Sequence, residues 1–337
     1  MSNPPDNVSA PRRIRIGREL EGERIDRALA RTLDVSRAAV RRLLAEGGVR
    51  LAPAALPDEG GSSVPTATFR ELAVADKGKL LEVGQQLEVA DFVSPSEQRA
   101  LPAPDLGLAV LASGPGWMAV DKPAGTPVHP LRADERETAL GFVASQREEV
   151  HGVGEGGLRS GIVHRLDVDT SGALLIATEQ RAWETLRSAF SKHHVEKRYR
   201  ALVAGDFKQA ETQRFALHVA QHRPARVRVS DLGTGPSSSA KRTAARTVEQ
   251  FVEPLERFGD ATLVEVRPKT GFLHQIRATL AHIGHPVLGD ATYGDAEVST
   301  RAQRQMLHAA YVRFEDFEAM SPDPADFARA VERAAAG

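Results

Sequence analysis

Between Val163 and Ala173 the chain crowds together His164, Arg165, Asp167, Asp169, Thr170 and Ser171, with only Leu166 and Val168 between them. An imidazole, a guanidinium and two carboxylates this close could supply a general acid or base, a nucleophile, or a contact to an anion. Aspartate, serine and glycine are also what an Asx-type turn uses. A plain turn accounts for Asp169 and Ser171-Gly172, but not for the adjacent His164-Arg165.

Two further stretches carry comparable chemistry. In "LHQIRATLAHI", residues 273–283, His274 and Arg277 stand three apart, which on a helix places them on one face. Such a face is usually just solvated. An arginine there can also pair with a carboxylate from a neighbouring loop and lower its pKa. In "EKRYRALVAG" Tyr199 lies among Lys197, Arg198 and Arg200. Core packing is the usual job of a strand tyrosine, yet an aromatic face ringed by cations also suits an unstacked base. The histidines and aspartates show no recognised metal-ligand spacing, and "GVGEGGLRSG" lacks the Lys-Ser/Thr ending of a phosphate loop.

These residues need elements to hold them. Ile25, Leu29 and Leu33 recur four apart and predict one short amphipathic helix. Ser36 caps a second, with Val40, Leu43 and Leu44 as its buried side, Gly47-Gly48 as its stop, and Arg37 and Arg41 together on an exposed face. "KGKLLEVGQQLEVADF" reads as a small sheet, and the three prolines of residues 91–107 as a linker. Strands are expected in "LAVLAS", "WMAVDKP", "RYRALVAG" and "ATLVEVRP", and helices around Ala182–Phe190 and Leu273–Ile283. "DLGTGPSSSAKR" reads as a mobile loop. Strands and helices without regular alternation predict an α+β fold with a mixed sheet. The expected boundaries are a disordered N-terminus at 1–15, a small domain at 16–92, a linker at 93–107 and a larger domain at 108–337.

The 337 residues include no cysteine, which excludes disulfides, thiolate metal sites and a cysteine nucleophile. No run is long enough to span a membrane, and the first dozen residues lack the apolar core of a signal peptide, so a cytoplasmic protein is expected. The net charge is only −1, but its distribution is uneven. Residues 12–50 hold 11 Lys/Arg against 6 Asp/Glu, and residues 181–228 hold 11 against 4. Two basic regions on a neutral chain hint at a polyanion partner.

Taken in order, His-Arg-Leu-Asp-x-x-Thr-Ser-Gly, Lys-x-Tyr-x-Ala-Leu-Val-x-Gly, and Pro-x-Thr-Gly-x-x-His-Gln-Ile-Arg followed by Gly-His-Pro-x-x-Gly-Asp-x-x-Tyr-Gly resemble the RluA-type pseudouridine synthases. "DKPAGTPVHP" and "LHAAYVRF" resemble the opening and closing segments of that family, so the likeness covers residues 108–327. Residues 16–92 resemble the small α-L RNA-binding domain that often precedes this catalytic domain, with "APAALPDEGGSSVPTATFRE" inserted.

The resemblance implies a mixed, largely antiparallel sheet flanked by helices, preceded by a small α/β domain. It also implies an isomerase that flips uridines out of structured RNA and converts them to pseudouridine, with ribosomal RNA favoured over tRNA. It implies no cofactor and no metal; a monomer is expected, since no obvious interaction helix appears. Asp167 aligns with the family's essential aspartate, Arg277 with the arginine paired to it, and Tyr199 with the tyrosine that stacks on the target uracil. Arg165 aligns with the arginine that enters the vacated base stack. His164, Lys197 and Arg198, with Arg37 and Arg41 of the small domain, are the further expected RNA contacts. Phe272 stands where the family commonly has arginine. The competing readings are a catalytically silent RNA-binding protein on the same fold and a metal-dependent hydrolase using His164 and Asp167.

Overall fold

The computed structural model describes residues 11–54, 68–90, 97–222, 224–232 and 245–336. The chain divides into two units, residues 1–98 and 99–337. Most of the expected insertion and the Gly/Ser-rich loop, residues 55–67 and 233–244, lie outside the described residues.

In the first unit, strands β1 (Arg12–Arg15), β2 (Val49–Ala52), β3 (Arg70–Glu71) and β4 (Gln86–Val89) form an antiparallel sheet in the order β1-β4-β2-β3. Helices α1 (Ile25–Thr32) and α2 (Arg37–Ala45) pack on it, burying Ile25, Leu29, Leu33, Val40, Leu43 and Leu44 as their spacing requires. Ser36 accepts the Ala39 N–H at 3.2 Å and so caps α2. Residues 12–15, expected to be disordered, are β1: Ile14 pairs with Leu87, and Ile16 beyond it is fully buried.

The second unit is built on one ten-stranded sheet. Its strands are β5 (Val110–Gly114), β6 (Trp117–Lys122), β7 (Ser171–Ala177), β8 (Glu196–Ala204), β9 (Glu211–His222), β10 (Ala225–Asp231), β11 (Arg246–Arg257), β12 (Ala261–Pro268), β13 (Leu307–Phe314) and β14 (Phe317–Met320). They run in the order β10-β9-β11-β12-β8-β13-β7-β6-β5, with β14 paired to β13. Among the described strands only the β13–β7 pairing is parallel; the others are antiparallel. Helices α3 (Ala139–Gln146), α4 (Gln180–Ser191), α5 (Gln275–His282), α6 (Ala296–Thr300) and α7 (Ala325–Ala336) flank the sheet. This is the mixed, largely antiparallel α+β architecture expected.

The helices close separate cores: α5 and α7 cover a cluster with Val203, Leu263 and Met306, while α3 covers another with Val120, Leu174 and Ile176. The expected linker is not free along its described length. Ala100 is buried in the α3 core, Ala103 is buried too, and the Ala103 N–H donates to the Gly141 carbonyl at 2.9 Å.

Strand β7 is buried along its whole length, as expected of a strand covered on both faces. It begins at Ser171, so Ser171-Gly172 is the first step of the strand and not the end of a turn. The glycine is required by a close approach: with φ at +119°, a Cβ there would meet the Ala309 carbonyl oxygen of β13 at 2.2 Å.

Candidate active site

The polar stretch that precedes β7 forms a tight turn. The Thr170 N–H donates to the Asp167 carbonyl at 3.1 Å, with exposed Val168 and Asp169 at the tip. Lys122, at the end of β6 and fully buried, holds this turn from beneath. Its ammonium donates to the carbonyls of Pro123, Thr126 and Val168 at 2.8–2.9 Å, saturating its three donors. Burial pulls the Lys122 pKa down to about 7, against the pull of nearby Asp169 and Asp167. Arg304 secures the other side, donating to the Asp169 carbonyl at 3.1 Å and to Ser171 Oγ at 3.2 Å.

Arg277 in α5 donates through Nη1 to Asp167 Oδ2 at 2.9 Å, joining two residues 110 positions apart in sequence. Two further donors go to Asp290: Nε to Oδ2 at 2.6 Å and Nη2 to Oδ1 at 2.8 Å, a bidentate pair whose carboxylate is wholly buried. Burial opposes the charge on Arg277, but the hydrogen bonds and charge of Asp290, followed by those of Asp167, outweigh it and leave the pKa raised. For Asp290 burial acts upward, and Arg277 with the Thr292 and Tyr293 N–H groups holds the carboxyl below its usual range. Asp290 thus fixes the guanidinium, and the guanidinium fixes Asp167.

Asp290 was not singled out from sequence. Its signal was present in the Gly-His-Pro-x-x-Gly-Asp segment, but its task depends on a contact across a loop.

Asp167, Arg277, Tyr199 and Arg165 line one cleft of about 1010 Å³. This is at or above the upper end of small-molecule pockets and leaves room for more than a single base. Tyr199 is half-buried, and its phenol pKa is raised first by burial and then by the charge of Asp167. Strand alternation separates its basic neighbours. Lys197 shares the cleft face and donates to the Thr270 carbonyl at 3.1 Å. Arg198, expected among the RNA contacts, points to the other face, where it pairs with Glu196 at 2.8 Å and lies over the Tyr311 ring. Arg200 also turns away, to Asp323.

His164 is occupied within the fold. Its Nε2 accepts the Leu175 N–H at 2.9 Å, and its ring stacks on Phe190 at 4.6 Å. That nitrogen is therefore not offered to RNA or to a metal ion. Among the described residues, no group of three or more His, Asp or Glu is placed to hold a metal. Burial, and secondarily the charge of Lys197, pulls the His164 pKa down to about 3.

The folded protein therefore takes up this proton later than the unfolded chain does. The resulting stability is complete above about pH 6.5 and is lost as pH falls toward 3. Burial lowers His129, His274 and His308 as well. Chemical denaturation should accordingly give a midpoint that drops steadily between pH 6.5 and 5; a flat midpoint over that interval contradicts neutral burial of these rings.

His274 departs from the helix expected for it. The helix begins at Gln275, and His274 takes left-handed backbone with φ at +52°. For a side chain other than glycine that conformation costs about 1–3 kcal/mol and tends to occur at functional sites. The ring points at the aspartate, with Nε2 3.9 Å from Asp167 Oδ1. In the first unit, Arg37 is partly engaged by buried Asp26, at 2.6 Å, while Arg41 lies exposed one turn on.

The family model for RNA pseudouridylate synthase matches residues 116–282, the stretch that contains Asp167, Tyr199 and Arg277. Ribosomal large subunit pseudouridine synthase D of Zymomonas mobilis is 31% identical over 311 residues, covering 89% of this chain and 88% of that protein. The chain belongs to the RNA pseudouridine synthase family. A tRNA pseudouridine synthase C of Salmonella typhimurium is 34% identical over 214 residues, covering 60% of this chain and 78% of that one. Among solved structures, human RNA Pseudouridylate Synthase Domain Containing 1 matches with a TM-score of 0.53 and 26% identity, over 66% of this chain and 86% of that one. As an RNA pseudouridine synthase, the protein isomerises uridine in RNA.

Proposed function

We propose that this synthase acts on specific uridines of structured RNA, in large-subunit ribosomal RNA before tRNA, by flipping the base into the Asp167 cleft. The observation that carries this reading is the carboxylate itself: it is held by Arg277, faces the same cleft as Tyr199, and sits on a turn anchored from below by Lys122. The relative named for the ribosomal large subunit matches nearly the whole chain, whereas the one named for tRNA matches a shorter stretch.

The reaction breaks the bond between ribose C1′ and uracil N1, turns the ring, and joins C1′ to C5. The hydrogen of C5 leaves as a proton and N1 gains one, so atoms balance without an oxidant or reductant. No cofactor is needed for that exchange. Asp167 supplies the carboxylate required for the bond rearrangement, and Tyr199 gives the extruded ring a face on which to turn. Arg165, exposed beside the aspartate, fills the gap left in the stack and offsets part of the few kcal/mol that extrusion costs.

Lys197, and Arg41 of the small RNA-binding unit, add phosphate contacts whose strength falls with salt. No described helix is long and apolar enough to cross a membrane. The synthase works as a monomer in the cytoplasm, where its RNA is.

Mapping pseudouridines in ribosomal RNA and tRNA with and without the gene tests the target. Loss of one or a few positions in large-subunit RNA is expected. Loss confined to tRNA overturns the choice of RNA, and an unchanged map overturns the activity on either.

A further inference from the structure

Asp167 presents two carboxylate oxygens, and Arg277 accounts for one of them. Oδ2 receives the Arg277 Nη1 donor at 2.9 Å, while Oδ1 faces His274 Nε2 at 3.9 Å. The imidazole is held from its opposite side. Tyr293 Oη lies 3.0 Å from His274 Nδ1, and the same oxygen accepts the Val227 backbone N–H at 2.9 Å.

A hydroxyl that accepts from a backbone N–H keeps its single proton to give, and His274 Nδ1 stands within reach to take it. A neutral ring that accepts at Nδ1 carries its own proton on Nε2, the nitrogen turned toward Asp167. The residue that carries this ring takes left-handed backbone immediately before α5. The ring is largely enclosed, with 12% of its side chain exposed, and meets Tyr293 edge-on at 5.7 Å.

We propose that His274 is a positioning residue for the isomerisation: its Nε2–H, fixed in tautomer by Tyr293 and the Val227 backbone, holds the second oxygen of Asp167. The proposal rests on Asp167 being the catalytic aspartate. At 3.9 Å the contact is longer than a hydrogen bond, and catalytic hydrogen bonds in a free enzyme commonly tighten only when substrate is bound. With Arg277 on Oδ2 and His274 on Oδ1, the carboxylate keeps one orientation beside Tyr199 as the uracil turns.

The test uses the full-length protein and RNA carrying tritium at C5 of uracil. His274→Ala should lower kcat by about tenfold to a hundredfold, as loss of an orienting partner does elsewhere, with KM within about twofold. His274→Gln, which returns an N–H of similar reach, should recover most of the rate. Tyr293→Phe should lower kcat less, and the double variant His274→Ala/Tyr293→Phe should fall no further than His274→Ala alone, because both act through one bond. Nitrogen-15 spectra of histidine-labelled protein should show His274 protonated at Nε2 and bare at Nδ1, a result that requires no activity.

Wild-type kcat in His274→Ala, while Asp167→Asn is inactive, overturns the positioning role and leaves the function standing. A proton on Nδ1, a glutamine variant as slow as the alanine one, or additive losses in the double variant overturn it as well. Full activity in Asp167→Asn instead removes the catalytic assignment on which it rests.

Discussion

Asp167→Asn is expected to abolish pseudouridine formation, with a single-turnover rate more than about a thousandfold below wild type, while the protein stays folded and still binds RNA. Asparagine has almost the same shape, and its amide oxygen can still accept the Arg277 Nη1–H that Asp167 accepts at 2.9 Å. What disappears is the charge and the basic oxygen facing the cleft. Asp169→Asn is the matched control. Its carboxylate is exposed at the turn tip and its backbone carbonyl accepts from Arg304, so the rate should stay within about twofold. Quenched-flow measurement of pseudouridine formation with enzyme in excess over RNA separates the two. Comparable rates for both variants contradict the assignment of Asp167.

Asp290→Ala should have the largest effect on stability. Arg277 is 6% exposed, and without Asp290 its Nε and Nη2 donors lose their acceptors, while the Thr292 and Tyr293 N–H groups lose theirs. Breaking a buried ion pair by removing one partner costs about 3–5 kcal/mol, a large share of what holds a domain together. The released guanidinium also stops orienting Asp167, so the rate should fall about a hundredfold, the scale associated with a misplacement of roughly 1 Å. Replacing both partners, Arg277→Met with Asp290→Leu, should return much of the stability and none of the rate. Urea denaturation and single-turnover rates on the same preparations test both halves. Stability within 1 kcal/mol of wild type in Asp290→Ala would show that the pair does not carry this weight.

That Asp167, Tyr199 and Arg277 belong to one cleft was legible because their signals are local. Each lies in a short pattern of unusual polar density, and several patterns in a fixed order point to one fold. Asp290 and Lys122 were not. A buried aspartate in a loop and a lysine at a strand end look like surface residues until tertiary structure gives one a guanidinium and the other three carbonyls. His274 was read onto a helix because the apolar period of Leu273, Ile276 and Leu280 starts two residues before the helix itself does. The backbone turns left-handed at that residue, and periodicity carries no sign of it.

Arg198 was grouped with Tyr199 by proximity in sequence, whereas a strand sends neighbours to opposite faces. Strands β9 to β11 escaped notice for a related reason. Pro254 interrupts β11, and β9 alternates apolar residues over only its central part, Phe215, Leu217 and Val219. Their place in the sheet comes from pairing with distant strands.

The most direct test of the account is the release of tritium from RNA labelled at C5 of uracil, because joining C1′ to C5 must expel that hydrogen. Purified protein should release it in step with pseudouridine formed, without added metal and undiminished by a chelator, and Asp167→Asn should release none. Binding of the RNA with no release, or equal release by wild type and Asp167→Asn, would contradict an aspartate-dependent isomerisation in this cleft.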